Sequence, residues 1–182
     1  MPHETVACPP ASITRTLRSV RQTRDYRPDP VPEDVLLDIL NVARWTGSVT
    51  NTQPWTFIVV TDADTKRRMA EAAPYTAHIG IAPVVIAVAR EPKGSGADNF
   101  DEGRLAERIM IAARAHGLSA GLARARGEAQ RVIGGLLGVP DELIVRTMVS
   151  IGHATDEGAK PKSAPGTARR PLGTFIRRER FS

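Results

Sequence analysis

Apolar residues along the chain recur either at a spacing of three to four or in short unbroken runs, and each spacing predicts one kind of element. Ile13, Leu17 and Val20 share a stripe over 12–20, which predicts a short amphipathic helix with Ser12 as its N-cap. A polar, extended run from Arg21 to Pro28 follows. In Pro30-Val31-Pro32-Glu33-Asp34 a proline stands near the first helical position and two acids fill the first turn, where the helix dipole favours negative charge. Val35, Leu36, Ile39, Leu40 and Ala43 continue as one apolar face up to Arg44. Beyond a polar stretch, Thr56 to Thr61 reads as a strand and Asp62 to Glu71 as a charged surface helix. Pro83 to Ala89 is apolar throughout, the pattern of a central strand buried on both faces. A loop over 90–98 leads into a long helix from about Asn99 to His116. Leu105, Ala106, Ile109, Met110, Ala112 and Ala113 form its stripe, Arg104, Arg108 and Arg114 lie outside it, and Gly117 stops it. Residues 118–125 read as a strand, 128–137 as a short helix and 143–152 as a last strand. From Asp156 onward there are too few apolar residues for a separate core, so this extension must lie on something else or remain disordered. The order of elements points to helices packed on a sheet.

Composition narrows the class. With 182 residues, 41% of them hydrophobic and 25% charged, the chain supports one core, so 1–182 is expected to be a single domain with a loose N-terminal stretch over 1–11 and a C-terminal extension over 156–182. The lone Cys8 rules out an intrachain disulfide and a cysteine-based metal site. The absence of a signal peptide or long apolar run leads us to expect a cytoplasmic protein away from the membrane. His3, His78, His116 and His153 show no metal-ligand spacing and are expected to be solvated or structural. The net charge of +5 is mostly arginine near the two ends: Arg15, Arg18, Arg21, Arg24 and Arg27, then Lys160, Lys162, Arg169, Arg170, Arg177, Arg178 and Arg180. Guanidinium groups grip phosphate or carboxylate bidentately, so the two segments brought together suit a phosphorylated cofactor. Nucleic acid is not expected, because the early arginines alternate with acids and prolines and few aromatics are available for base stacking.

The remaining polar stretch is Gly47-Ser48-Val49-Thr50-Asn51-Thr52-Gln53-Pro54-Trp55, directly before the strand. Small residues allow close approach of backbone to ligand, and Asn51 and Gln53 each offer an amide donor and acceptor. The nine residues read equally well as a binding loop and as a plain polar connection, and Trp55 reads as core packing. No Gly-rich dinucleotide fingerprint is present.

Taken together, Arg18-Ser19-Val20-Arg21 before a Pro-Val-Pro helix start, the Asn-x-Gln-Pro-Trp run, and Ile151-Gly152-His153 before an Arg-bearing tail resemble the FMN-dependent nitroreductase family over roughly Ile13 to Leu172. The resemblance implies an α+β fold: a three-layer α/β/α sandwich with a mostly antiparallel sheet. It also implies a homodimer in which the C-terminal segment is exchanged between subunits and packs on the partner. FMN would be held by Arg18, Ser19 and Arg21 at the phosphate and ring, by Ser48, Asn51 and Gln53 beside the flavin, and by Arg170 with Arg169 adjacent. A backbone N–H between Leu122 and Gly127 would face flavin N5. Departures from the family pattern are Leu17 in place of a second arginine, Thr46-Gly47-Ser48 in place of Ala-Pro-Ser, and the unusual Ala123-Arg124-Ala125-Arg126.

The implied activity is an NAD(P)H-dependent oxidoreductase passing electrons to a nitroaromatic, quinone or similar flat acceptor by a ping-pong scheme. The flavin carries the redox chemistry, so no catalytic side chain is named. The alternatives are another flavin reaction on the same fold (flavin fragmentation, dehalogenation or ring oxidation) and a non-catalytic flavin-binding or basic binding module.

Overall fold

The computed structural model describes residues 10–92, 96–163 and 169–181. Cys8, His3 and nearly all of the expected loose N-terminal stretch lie outside the described residues. The order is α1 (Pro10–Ser19), α2 (Glu33–Arg44), β1 (Trp55–Val60), α3 (Ala63–Ala72), α4 (Ala77–Ile81), β2 (Val84–Arg90), α5 (Gly96–Ala115), β3 (Ser119–Arg124), α6 (Glu128–Leu136), β4 (Ile144–Gly152) and α7 (Asp156–Ala159). Four strands pair antiparallel in the order β1-β2-β4-β3. Among the described residues no helix is long and apolar enough to cross a membrane.

The unbroken apolar run of β2 has the consequence expected of it, since all seven residues are buried. Side chains alternate across a strand. Val84, Ile86 and Val88 accordingly join Leu36, Ile39 and Ala43 of α2 and Leu105, Ile109 and Ala113 of α5 on one face. Val85, Ala87 and Ala89 join Met69 of α3, Ile79 of α4 and Ile133 of α6 on the other. The result is a three-layer α/β/α sandwich, as the resemblance implied.

Several boundaries differ from the sequence reading. The first helix begins at Pro10, so Ser12 is inside it rather than capping it; proline tolerates a first turn because its missing N–H would be unpaired there. Ile13 and Leu17 are about half exposed, so the stripe of α1 is largely uncovered in a single chain. β1 starts at Trp55, which packs half-buried against the core, and α5 starts three residues before Asn99. The single-turn α4 went unread. It is seated partly by Lys66 of α3, a buried ammonium that donates to the Ala82 and Pro83 carbonyls at 2.6 and 2.9 Å. Burial lowers the Lys66 pKa.

Candidate cofactor site

The stretch Gly47 to Trp55 is fixed by α5. Asp101 accepts the Val49 N–H at 2.9 Å, Arg104 donates to the Gly47 carbonyl at 3.1 Å, and Arg108 donates to the Trp45 carbonyl at 3.0 Å. Residues 49–51 make one 3₁₀ turn, with the Asn51 N–H on the Ser48 carbonyl at 3.0 Å. The three candidates here do different things. The Ser48 hydroxyl accepts the Gln53 N–H at 2.8 Å and closes the loop. The Gln53 amide leans back on the Asn51 carbonyl at 3.5 Å. The exposed Asn51 amide has no hydrogen bond among the described residues.

Arg18, Ser19 and Arg21 lie at the other end of α5. The Ser19 hydroxyl donates to the Thr16 carbonyl at 2.8 Å and accepts from Arg114 Nε at 3.0 Å. Asp101 and Arg114 are 13 residues apart in α5, about 20 Å along its axis. One chain therefore holds the amide loop and the arginine cluster apart. Arg170 stacks over the Phe175 ring of its own segment at 4.4 Å, and Arg169 beside it is exposed.

Next to Arg21 runs the outer edge of β3. The Ala120 carbonyl takes the Thr23 N–H at 2.9 Å. The Gln22 side chain then imitates a neighbouring strand, donating to the Leu122 carbonyl at 2.7 Å and accepting the Leu122 N–H at 3.0 Å. Leu122 is thus removed from the residues that could offer a free N–H. Ala125 is removed as well, because its N–H goes to the Arg146 carbonyl at 2.8 Å. Backbone groups alternate sides along a strand, so the N–H of Arg124 turns to the same outer edge as that of Leu122. The chain crosses the sheet closely at this point. A Cβ on Gly121 would lie 2.2 Å from the Thr23 carbonyl oxygen and 2.9 Å from the Tyr26 hydroxyl. That buried hydroxyl is tied to Ser150 Oγ at 2.7 Å, and burial pushes its pKa up to about 12 against the Ser150 hydrogen bond, which lowers it.

A cavity of about 190 Å³ opens between α5 and the ends of β3 and β4, lined in part by Glu102, Ala106, Met110, Leu122, Arg124 and Arg146. Its floor is a charge cluster from three elements. Glu102 receives Arg90 Nε at 2.9 Å and is bonded by Arg146, and the Arg90 and Glu102 side chains are each 4% exposed. Burial raises the Glu102 pKa. Hydrogen bonds from Thr147, Arg146 and Arg90, with the Arg90 charge, outweigh burial and hold it below its ordinary value.

Asp101, Arg114, Gln22 and the Glu102 cluster were not singled out from the sequence, where each is one polar residue on a helix or in a loop. His78 is buried on α4, His116 pairs with Asp38 at 2.7 Å, and no group of metal-ligating residues occurs among the described residues.

The fold and these motifs match known proteins. The model of the Nitroreductase family matches residues 17–76. An NADH dehydrogenase of Thermus thermophilus is 32% identical, over 76% of this chain and 84% of that protein. A putative NADH dehydrogenase/NAD(P)H nitroreductase of Archaeoglobus fulgidus is 32% identical, over 75% and 82%. The solved structure of an FMN-dependent nitroreductase from Clostridium difficile superposes with a TM-score of 0.81 at 22% identity, covering 91% of this chain and 98% of that one. On sequence and fold together, the chain belongs to the nitroreductase family.

Proposed function

We propose that the protein is an FMN-dependent oxidoreductase that takes reducing equivalents from NADH or NADPH and passes them to a nitroaromatic, quinone or similar flat acceptor. The observation that carries this reading is the bond from Arg114 to Ser19 of the Arg18-Ser19-Val20-Arg21 motif, beside the outer edge of β3 that Gln22 covers. Among the described residues, Arg18, Arg21 and Arg114 have no carboxylate partner. Guanidinium groups without a counter-charge suit a phosphate.

The residues present fit FMN. Arg18, Arg21 and Arg114 would hold the phosphate, and Arg170 with Arg169 could complete it from the C-terminal segment. The N–H of Arg124 and the side-chain amides of Asn51 and Gln53 would face the polar parts of the ring, with Ser48 keeping the loop closed. Bound FMN would supply the redox chemistry, with NAD(P)H and the acceptor using one open face in turn, a ping-pong order. The protein's own contribution is to place donors in advance and leave that face clear.

A second copy of the chain completes this site. The loop and the arginines sit at opposite ends of α5, so the loop of one copy would close over the arginines of another. Trp45 is exposed beside the loop, and Leu37, Ile13 and Leu17 are exposed toward the other end of α5, and such uncovered apolar groups suit a homodimer interface. Leu172, Phe175, Ile176 and Phe181 of the C-terminal segment are also exposed and would pack on the partner.

The absorbance spectrum of the purified protein, before and after adding FMN, tests the reading. A flavin band that bleaches with NAD(P)H is expected, and Arg18→Ala and Asn51→Ala should each retain less FMN. A protein that takes up no FMN would refute it, and unchanged flavin content in both variants would move the site elsewhere.

A further inference from the structure

The outer face of α5 carries a trough that runs between the polar loop and the end of β3. Phe100, Arg104 and Arg108 stand in one row at four-residue spacing, and Asn99, Gly103 and Glu107 stand in the next. Together they line a groove of about 540 Å³. Asn99, Gly103 and Glu107 also line the cavity of about 190 Å³ beside Leu122 and Arg124, so the two hollows meet along that middle row. A Cβ on Gly103 would meet nothing within 4 Å, which leaves bare backbone at the floor there. One wall is tied to the loop, through Arg104 on the Gly47 carbonyl and Arg108 on the Trp45 carbonyl. The other wall includes the end of β3.

Charge and ring chemistry narrow what such a trough takes. The buried acids of this stretch are spent within the protein, Asp101 on the Val49 N–H and Arg104, Glu102 on Arg90 and Arg146. Of the lining charges that reach solvent among the described residues, Arg104, Arg108 and Arg124 are cations and Glu107 is an anion. Arg124 has no carboxylate partner among the described residues. Phe100 is 69% exposed, and the Arg104 guanidinium lies 5.8 Å from its ring centroid. An exposed aromatic ring among guanidinium groups matches a base joined to phosphate, since the rings stack and the cations hold the charge. We infer that this trough binds the adenylate and pyrophosphate arm of the nicotinamide dinucleotide. The inference rests on the reading of the protein as an NAD(P)H-dependent FMN enzyme, and it gives the dinucleotide a place in a chain with no Gly-rich phosphate fingerprint. A flat acceptor bearing a carboxylate shares the anionic chemistry, but it needs one cation and little of the trough's length. A structural duty toward the loop accounts for Arg104 and Arg108 and leaves Phe100 and Arg124 without a task.

ADP-ribose carries the adenylate and both phosphates without the nicotinamide. Its binding to the flavin-loaded protein, followed by calorimetry, therefore reads the trough apart from turnover. Binding is expected for ADP-ribose or for its 2′-phosphate, and Phe100→Ala and Arg124→Gln should each weaken it about 10-fold with FMN content unchanged. Gly103→Leu, which fills the floor without removing a charge, should weaken it as well. In turnover, reduced nicotinamide mononucleotide, which lacks the adenylate, should show a kcat/KM about 10-fold or more below the better of NADH and NADPH. Flavin-loaded wild type that binds neither form of ADP-ribose would overturn the inference, as would equal use of mononucleotide and dinucleotide. Loss of FMN from both Phe100→Ala and Arg124→Gln would put the flavin itself in the trough and overturn it too. In Arg124→Gln, a loss confined to 4-nitrobenzoate over 4-nitrobenzamide, with ADP-ribose affinity unchanged, would assign the trough to an anionic acceptor instead. A wild-type protein that takes up no FMN would overturn the cofactor reading itself.

Discussion

Protonation of His78 should control stability in mild acid. The ring is 5% exposed on α4, its Nε2 has no hydrogen-bond partner among the described residues, and its pKa is lowered from 6.5 to about 4. Burial is the largest cause. The Arg24 charge adds to it, a hydrogen bond with the Leu122 backbone opposes it, and the Lys162 charge adds again. The folded-state value lies below the unfolded one. The contribution is therefore complete above about pH 6.5 and is lost as pH falls toward 4. A tenfold change in proton affinity is about 1.4 kcal/mol, so the full depression corresponds to about 3 kcal/mol, of which about 2 kcal/mol disappears between pH 7 and pH 5. His78→Phe keeps a ring of similar size without a titrating nitrogen. Urea unfolding at a fixed protein concentration, at pH 7, 6 and 5, should show the wild type losing that much more stability than the variant. The comparison uses slopes, so a constant packing penalty in the variant cancels. Parallel pH profiles for the two proteins would refute the burial of a neutral imidazole at this position.

Two further substitutions test other parts of the scaffold. Glu102→Gln leaves Arg90 and Arg146 short of their buried counter-charge and should cost about 3 kcal/mol at pH 7. Because the folded-state pKa of Glu102 lies below its ordinary value, its contribution is complete above the usual carboxylate range and is lost as pH falls through the folded value. The gap between wild type and variant should therefore narrow in acid, and urea midpoints at pH 7 and pH 3 would show whether it does. Gly121→Ala places a methyl group against the Thr23 carbonyl and should lower Tm by roughly 5–10 °C; an unchanged midpoint would mean that the chain crossing above β3 moves freely.

The layers were legible in the sequence because periodicity reports burial directly. The unbroken run over 84–89 could only be a strand covered on both sides, and the stripes of α2 and α5 face the core that they predicted. The five-residue α4 was not legible, since one turn carries no period and its seat depends on Lys66 reaching across from α3. The site was legible by residue type and not by partnership. Ser48, Asn51 and Gln53 stand out as polar residues before a buried strand, but only the fold shows that Ser48 closes the loop while Asn51 is left open. Arg114 was readable as an arginine outside the apolar stripe, and its contact with Ser19 is created by the packing of α1 against α5. The N–H groups of Leu122 and Ala125 could be set aside only after Gln22 and Arg146 were seen to occupy them.

The loop also shows how the scaffold holds an unfavourable conformation. Thr50, Asn51 and Gln53 have φ of 50°, 55° and 47°, in the left-handed region that costs non-glycine residues of order 1 kcal/mol or more each. Asparagine tolerates this best, and threonine, branched at Cβ, tolerates it poorly. Such a turn persists only if its surroundings determine it. The determining groups are Asp101, Arg104 and Arg108, at helical spacings of three and four, so one polar face of α5 meets Val49, Gly47 and Trp45 in register. Those carbonyls and that N–H, satisfied by side chains of a rigid helix, are not available to a more relaxed turn. The bond from the Gln53 N–H to Ser48 Oγ closes the other end. With both ends held, the Asn51 amide is presented outward in place before any ligand arrives, and the conformational cost is met in folding rather than at binding.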